Sequence, residues 1–373
     1  MIKRFNTILY LSFLMVFILT SLVLIPGCED TEKEKEETIE EKAHEDKDEK
    51  DEKDEKEKEG KAEEKETEEE IDYQEVQPNE LGEVMILMYH DIDDELGDWK
   101  TTREKFREDM ERLYEKDFRL VDLMDVVNGN IDIPAGTTPV VLTFDDGHVG
   151  QFNLIEEDGE KIVDPDSAAG ILLDLKDKYD DFTLAGNFYI NWYPEPFGDR
   201  DNLSKNLEIL TDKGFSVGNH GYAHANLGNL NSPEEIEAEL AKMQGKVKEA
   251  LDGYEMKSLA LAFGAWPKNE EWNQYVYSGE HEGTSYEYEA VLNVSWSPES
   301  SPFHKDFDPL DLERIKANDG VDQEMDRWLQ GYEDNPEKRY VSDGNPSTIA
   351  IPEDKKHYIC PDIADDDYEI ITY

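Results

Sequence analysis

Short apolar runs, each long enough for one strand, alternate with longer segments whose apolar residues recur at helical spacing. This alternation limits what the chain can become. Val84-Met85-Ile86-Leu87-Met88-Tyr89 is apolar without interruption, the pattern of a strand covered on both faces. Residues 102–116 then place Phe106, Met110 and Leu113 on one helical face. Further strands are expected at 140–144, 184–191, 215–218, 258–263 and 290–295. Helices are expected at 167–179, at 203–213 with a stop at Gly214, and at 232–251. The last opens on Ser232-Pro233-Glu234-Glu235, a capping box with proline in its first turn. Strands alternating with helices predict a parallel sheet, open or closed into a barrel. Beyond Ile351 the chain turns polar and acidic and is expected to fray.

The first residues read as an export signal rather than as part of the fold. Lys3 and Arg4 precede an apolar run from residue 8 to 25, which ends in Leu24-Ile25-Pro26-Gly27-Cys28. Small residues before a cysteine at that point resemble a bacterial lipoprotein cleavage site. Residues 1–27 are therefore expected to be a signal peptide, with lipidation at Cys28 and a membrane anchor outside the cytoplasm. A retained membrane helix is the competing reading. Residues 28–81 are nearly all Glu, Lys and Asp, cannot bury enough apolar surface to order themselves, and read as a disordered tether. The chain holds two cysteines, Cys28 and Cys360. With Cys28 lipidated, the fold depends on its core alone. The net charge is -54, and residues 81–373 carry -39 of it, so nucleic acid is not expected as a partner. The expected domain spans 82–351, followed by an acidic tail at 352–373.

Three clusters follow apolar strands, where α/β folds place their sites. Thr143-Phe144-Asp145-Asp146-Gly147 ends a strand with two carboxylates. One suits a cation and the other a general base, although Asp-Asp-Gly also serves as a plain turn. In Asn219-His220-Gly221-Tyr222-Ala223-His224, two histidines four apart share a face if the segment is helical. Joined with Asp146 they form the three-ligand set of an open catalytic metal site. Tyr89-His90-Asp91 offers His90 as a general acid.

The stretch from Val84 to Ile351 resembles the polysaccharide deacetylases of the NodB-homology type, carbohydrate esterase family 4. Met88-Tyr89-His90-Asp91-Ile92 is similar to the start of the poly-N-acetylglucosamine deacetylase subgroup. The resemblance implies a distorted (β/α)7-type barrel. It implies Asp145 as base, His90 as acid, and Asp146, His220 and His224 as ligands of a divalent metal, most simply Zn2+. It also implies an acetylated polysaccharide as substrate. A decayed, non-catalytic polysaccharide-binding scaffold and an O-acetyl esterase are the alternatives.

The chain departs from the family pattern in places. Gly221 stands where the family has Ser or Thr, so a hydrogen bond steadying that loop is expected to be missing. The family's Arg-x-Pro-Tyr motif survives only as Leu261-Ala262-Phe263-Gly264, which leaves Asp145 without an evident cation. The backbone of Phe263 remains a candidate for an oxyanion site. Residues 151–165 read as an insertion that either shapes the groove or decorates it, and His148 as a residue near the site. Trp192, Tyr193, Trp266 and Trp296 are each either sugar-stacking or core.

Overall fold

The computed structural model describes residues 71–317, 324–363 and 368–373. The expected signal peptide, Cys28 and most of the tether lie outside these. Eight parallel strands form the central sheet: β1 Met85–Tyr89, β2 Phe118–Leu120, β3 Thr138–Asp145, β4 Asn187–Ile190, β5 Ser216–Asn219, β6 Ser258–Ala260, β7 Ala290–Leu292 and β8 Ile315–Lys316. Seven of them lie in the order β7-β6-β5-β4-β3-β1-β8, and β2 pairs with the start of β3. Parallel bridges from Leu292 to Leu312 and from Ser295 to Ile315 join the two ends of that path. The seven strands thereby curl into the expected distorted barrel.

Helices cover the outside. α1 Arg103–Glu115 buries Phe106, Met110 and Leu113, and the Thr102 side chain caps it by accepting from the Lys105 N–H. α2 Ala168–Lys178 is capped by Ser167, and α3 Leu203–Asp212 ends before Gly214 at φ +91°. α4 Pro233–Ala250 is capped by Ser232, while Glu235 reaches back to the Asn231 N–H rather than to the cap residue itself. α5 Glu324–Asp334 packs close to β8.

The period-two alternation of the strands sorts residues between two cores. Met85, Leu87 and Tyr89 of β1 join Val140, Leu142 and Phe144 of β3 against the helices. Ile86 and Val141 belong to the inner core with Tyr189, Ala260 and Leu292. The same parity sends Thr143 and Asp145 inward, at the carboxyl end of β3.

The chain ends differ from expectation. The fold begins before Gly82: Tyr73–Val76 is a helical turn capped by Asp72, and Asn79 bridges Val341. The end does not fray. Glu369–Thr372 forms a parallel strand beside Thr348–Ile351, and Tyr373 stacks on Tyr73 with ring centroids 5.9 Å apart. Ile349 and Ile351 are fully buried, and apolar contact with that inner core outweighs the acidic composition nearby. Residues 151–165 contain a hairpin, Leu154–Glu157 against Glu160–Val163, with exposed strand residues at its tip. Among the described residues no helix is long and apolar enough to cross a membrane.

Candidate active site

The carboxyl ends of the barrel strands open into a cavity of ≈ 520 Å³. His90, Asp145, Asp146, His220 and His224 all line it, so the three separate sequence clusters converge. One donor atom each from Asp146, His220 and His224 lies within 4.8 Å of the others. His220 Nε2 is 3.5 Å and His224 Nε2 3.3 Å from the same Asp146 Oδ1.

The two histidines are not on a helix. They lie on a loop after β5, with Gly221 at φ +84° and His224 at φ +52°, so backbone reversal rather than helical spacing brings their rings together. His220 Nδ1 sits 2.8 Å from the Ala260 carbonyl. That carbonyl accepts only from an N–H, which leaves the Nε2 lone pair turned toward Asp146. Asn219 pins the loop at its root: its Nδ2 donates to the Leu240 carbonyl and the Tyr288 hydroxyl, and its Oδ1 accepts from the Gly221 N–H.

The expected gap at Gly221 is filled by α4. Glu239 Oε1 accepts from the Ala223 and Ala225 N–H groups at 2.7 and 3.0 Å. A Cβ at residue 221 would stand 2.8 Å from that oxygen. The missing side-chain hydroxyl and the buried carboxylate are one exchange: glycine clears the space that Glu239 enters.

Asp145 is likewise not without a cation. Arg314, fully buried, donates from Nη1 and Nη2 to its two carboxylate oxygens at 2.7 and 2.8 Å. Nη1 also reaches Thr143 Oγ1, and Nε donates to the Asn293 carbonyl. Burial pushes the Asp145 carboxyl up, but the Arg314 guanidinium and His220 outweigh it, and the group is held below the usual carboxylate range. Asp146 is also held low: the hydrogen bond from His148 and the nearby histidines overcome its burial. His148 Nε2 stands 3.4 Å from Asp146 Oδ2.

The sequence held a signal for Arg314. In Leu312-Glu313-Arg314-Ile315-Lys316 the period-two alternation puts Leu312, Arg314 and Lys316 on one face. Leu312 enters the inner core, so the two cations point the same way. Glu239 had a signal too, a carboxylate on the apolar face of α4 between Ile236 and Leu240.

His90 lies in the cavity in a charge state different from the one expected. Burial drives its pKa down to about 4, against the opposing pull of Asp145 and Asp146. The imidazole is therefore neutral at neutral pH, and its Nδ1 is buried without a hydrogen-bond partner among the described residues. Gln151 holds the backbone on both sides of the site: its Nε2 donates to the His90 and Asp145 carbonyls at 2.7 and 2.5 Å.

The aromatic expectations divide. Phe263 lines the cavity, 65% exposed, with its ring 4.6 Å from that of His224. Trp296 and the unanticipated Trp99 line it as well. Trp266 does not. It meets Tyr277 edge-on at 6.0 Å in the cluster around Leu227 and Leu261. Trp192 and Tyr193 pack with Tyr222 outside the cavity, and the 154–163 hairpin contributes nothing to its walls.

Such a carboxylate–imidazole cluster beside an ion-paired carboxylate, at the strand ends of a parallel barrel, can hold a cation next to an ionised base. Residues 132–276 match the family model described as Polysaccharide deacetylase. Asp145, Asp146, His220, His224 and Phe263 fall inside the matched stretch; His90 and Arg314 fall outside it. No curated protein matches the chain. Among solved structures it is similar to BA0330 of Bacillus anthracis, with 20% identity over 63% of this chain and 64% of that one, TM-score 0.46. It is similar to BC0361, a polysaccharide deacetylase of Bacillus cereus, with 21% identity over 66% and 68%, TM-score 0.48. It is also similar to IcaB of Ammonifex degensii, with 17% identity over 68% and 96%, TM-score 0.44. The chain spans just under two thirds of the first of these.

Proposed function

We propose that this chain is a metal-dependent deacetylase that removes N-acetyl groups from an N-acetylglucosamine-type polysaccharide outside the cell, held at the membrane by lipid on Cys28. The observation that carries this reading is the convergence of Asp146, His220 and His224 beside the Asp145–Arg314 pair in one cavity. Two imidazole nitrogens and one carboxylate oxygen suit zinc, and the His220 tautomer fixed by Ala260 leaves a free lone pair for it. A divalent cation held there supplies a Lewis acid and lowers the pKa of a nearby water.

The chain's own groups supply the rest. Asp145 stays ionised because of Arg314, and so is ready to take a proton from the attacking water. The fork of Arg314 holds both carboxylate oxygens and fixes the direction of that transfer. His90, neutral at rest, must gain a proton within the catalytic cycle before it passes one to the departing amine. Trp99, Trp296 and Phe263 give the cavity apolar walls against which sugar faces stack. A decayed scaffold is disfavoured by the intact pairing of Asp145 with Arg314.

The test is acetate release from N-acetylglucosamine oligomers by the purified chain. Release should stop with a chelator, return with added zinc, and fall at least a hundredfold in Asp145→Asn. Full activity in chelator, or in His220→Ala, refutes the reading. Release from O-acetylated xylan but not from amide substrates would instead support the esterase alternative.

A further inference from the structure

The cavity contains a cation that the reaction above does not use. Lys316, on β8 beside Met88, lines the cavity and, among the described residues, is the only lysine or arginine on its wall. Its ammonium lies 4.2 Å from the Trp99 ring centroid, and the other charged wall groups are committed. Asp145 is paired with Arg314, and Asp146 faces His148, His220 and His224. Among the described residues Lys316 has no carboxylate partner, in a chain of net charge -54. What sets this ammonium apart from the other lysines without a carboxylate partner is its place on the wall of the site.

We propose that Lys316 binds a carboxylate on the substrate, so that the cavity selects an acetylated glycan carrying an acidic group close to the acetylated position. This rests on the deacetylase reading of the same cavity. The ring of Trp99 lies close to both Lys316 and His90, whose own ring is 4.6 Å away. A sugar lying near Trp99 is therefore near an ammonium as well as the reaction centre. The ammonium is partly shielded there, so an ion pair with it is stronger than on an open surface. A protein surface repelling polyanions makes such a local cation the means of admitting one. Two sources of carboxylate fit this chemistry: a lactyl ether on the sugar, and a uronic acid next in the chain.

The full chain is to be assayed with three probes: a neutral N-acetylglucosamine oligomer, an oligomer alternating N-acetylglucosamine with its 3-O-lactyl ether, and an N-acetylated oligomer containing a uronic acid. Both kcat/KM and calorimetric Kd are measured. Wild type should favour a carboxylated probe. Lys316→Gln should reduce that preference about tenfold, through KM and Kd rather than kcat, and Lys316→Arg should retain it. The preference should shrink as salt rises. The two carboxylated probes tell the sources apart. Equal binding of neutral and carboxylated probes by wild type, or an undiminished preference in Lys316→Gln, overturns the proposal. If no probe releases acetate, the deacetylase reading fails, while the Kd values still decide whether Lys316 reads a carboxylate.

Discussion

Arg314 is the residue on which the chemistry of Asp145 rests. Its guanidinium is fully buried and Asp145 is 2% exposed, so neither charge is stabilised by water. Removing one partner strands the other, and Arg314→Met should cost roughly 3–5 kcal/mol of folding stability in urea denaturation. Arg314→Lys keeps the charge and loses the two-pronged geometry. The pH consequence has a definite sign. Arg314 holds the Asp145 carboxyl low, so weakening it raises that pKa and leaves the base protonated to higher pH. The acid limb of the kcat/KM profile should therefore move to higher pH in Arg314→Lys. An unmoved limb would mean that Asp145 is not the group titrating there.

At the scale of elements, the ligand loop is held in shape by a helix as well as by the Asn219–Gly221 hydrogen bond at its root. Two of its N–H groups end on Glu239 of α4, and α4 is fixed by its Ser232 cap and by Ile236, Leu240 and Met243 in the core. Glu239→Ala should loosen the His220–His224 spacing and weaken binding of added divalent metal at the proposed site about 10- to 100-fold, read by calorimetry. Glu239→Gln keeps an acceptor oxygen at the same place and should lose far less. Equal losses in the two variants would show that charge, not the two hydrogen bonds, is what matters.

At the scale of the molecule, carboxylates are buried along the seam where residues 79–84 meet residues 299–350. Glu80 is 2% exposed and accepts from the Tyr340 hydroxyl and from the Asp343 and Ala350 N–H groups. Burial, then the nearby Asp343, raises its pKa to about 8. Glu299, whose backbone bridges Val84, is raised by burial to about 7. Each binds its proton more tightly folded than unfolded. Their stabilisation is complete below the unfolded value near 4.5 and is lost as pH rises through 7–8. Stability should thus fall between pH 5 and pH 8.5, by up to about 7 kcal/mol from these two groups together, with a lower Tm at the alkaline end. Glu80→Gln should flatten that slope, and a slope unchanged in this variant would exclude Glu80 as its source.

The amino-acid sequence by itself determined most of the elements and the list of reactive groups. Apolar runs marked six of the eight sheet strands, leaving out the short β2 and β8, Thr102, Ser167 and Ser232 fixed the starts of three helices, and strand-end placement singled out His90, Asp145, Asp146, His220 and His224. These are local properties, set by periodicity and by side-chain hydrogen bonds within a few residues. What only the tertiary structure decided was which distant residues serve those groups. Arg314 reaches Asp145 across 169 positions, Glu239 replaces a hydroxyl that no residue of the loop supplies, and Thr348–Ile351 recovers an acidic tail into the fold. Barrel closure brings these residues together, and the energy of each contact depends on burial, which no local window of sequence contains.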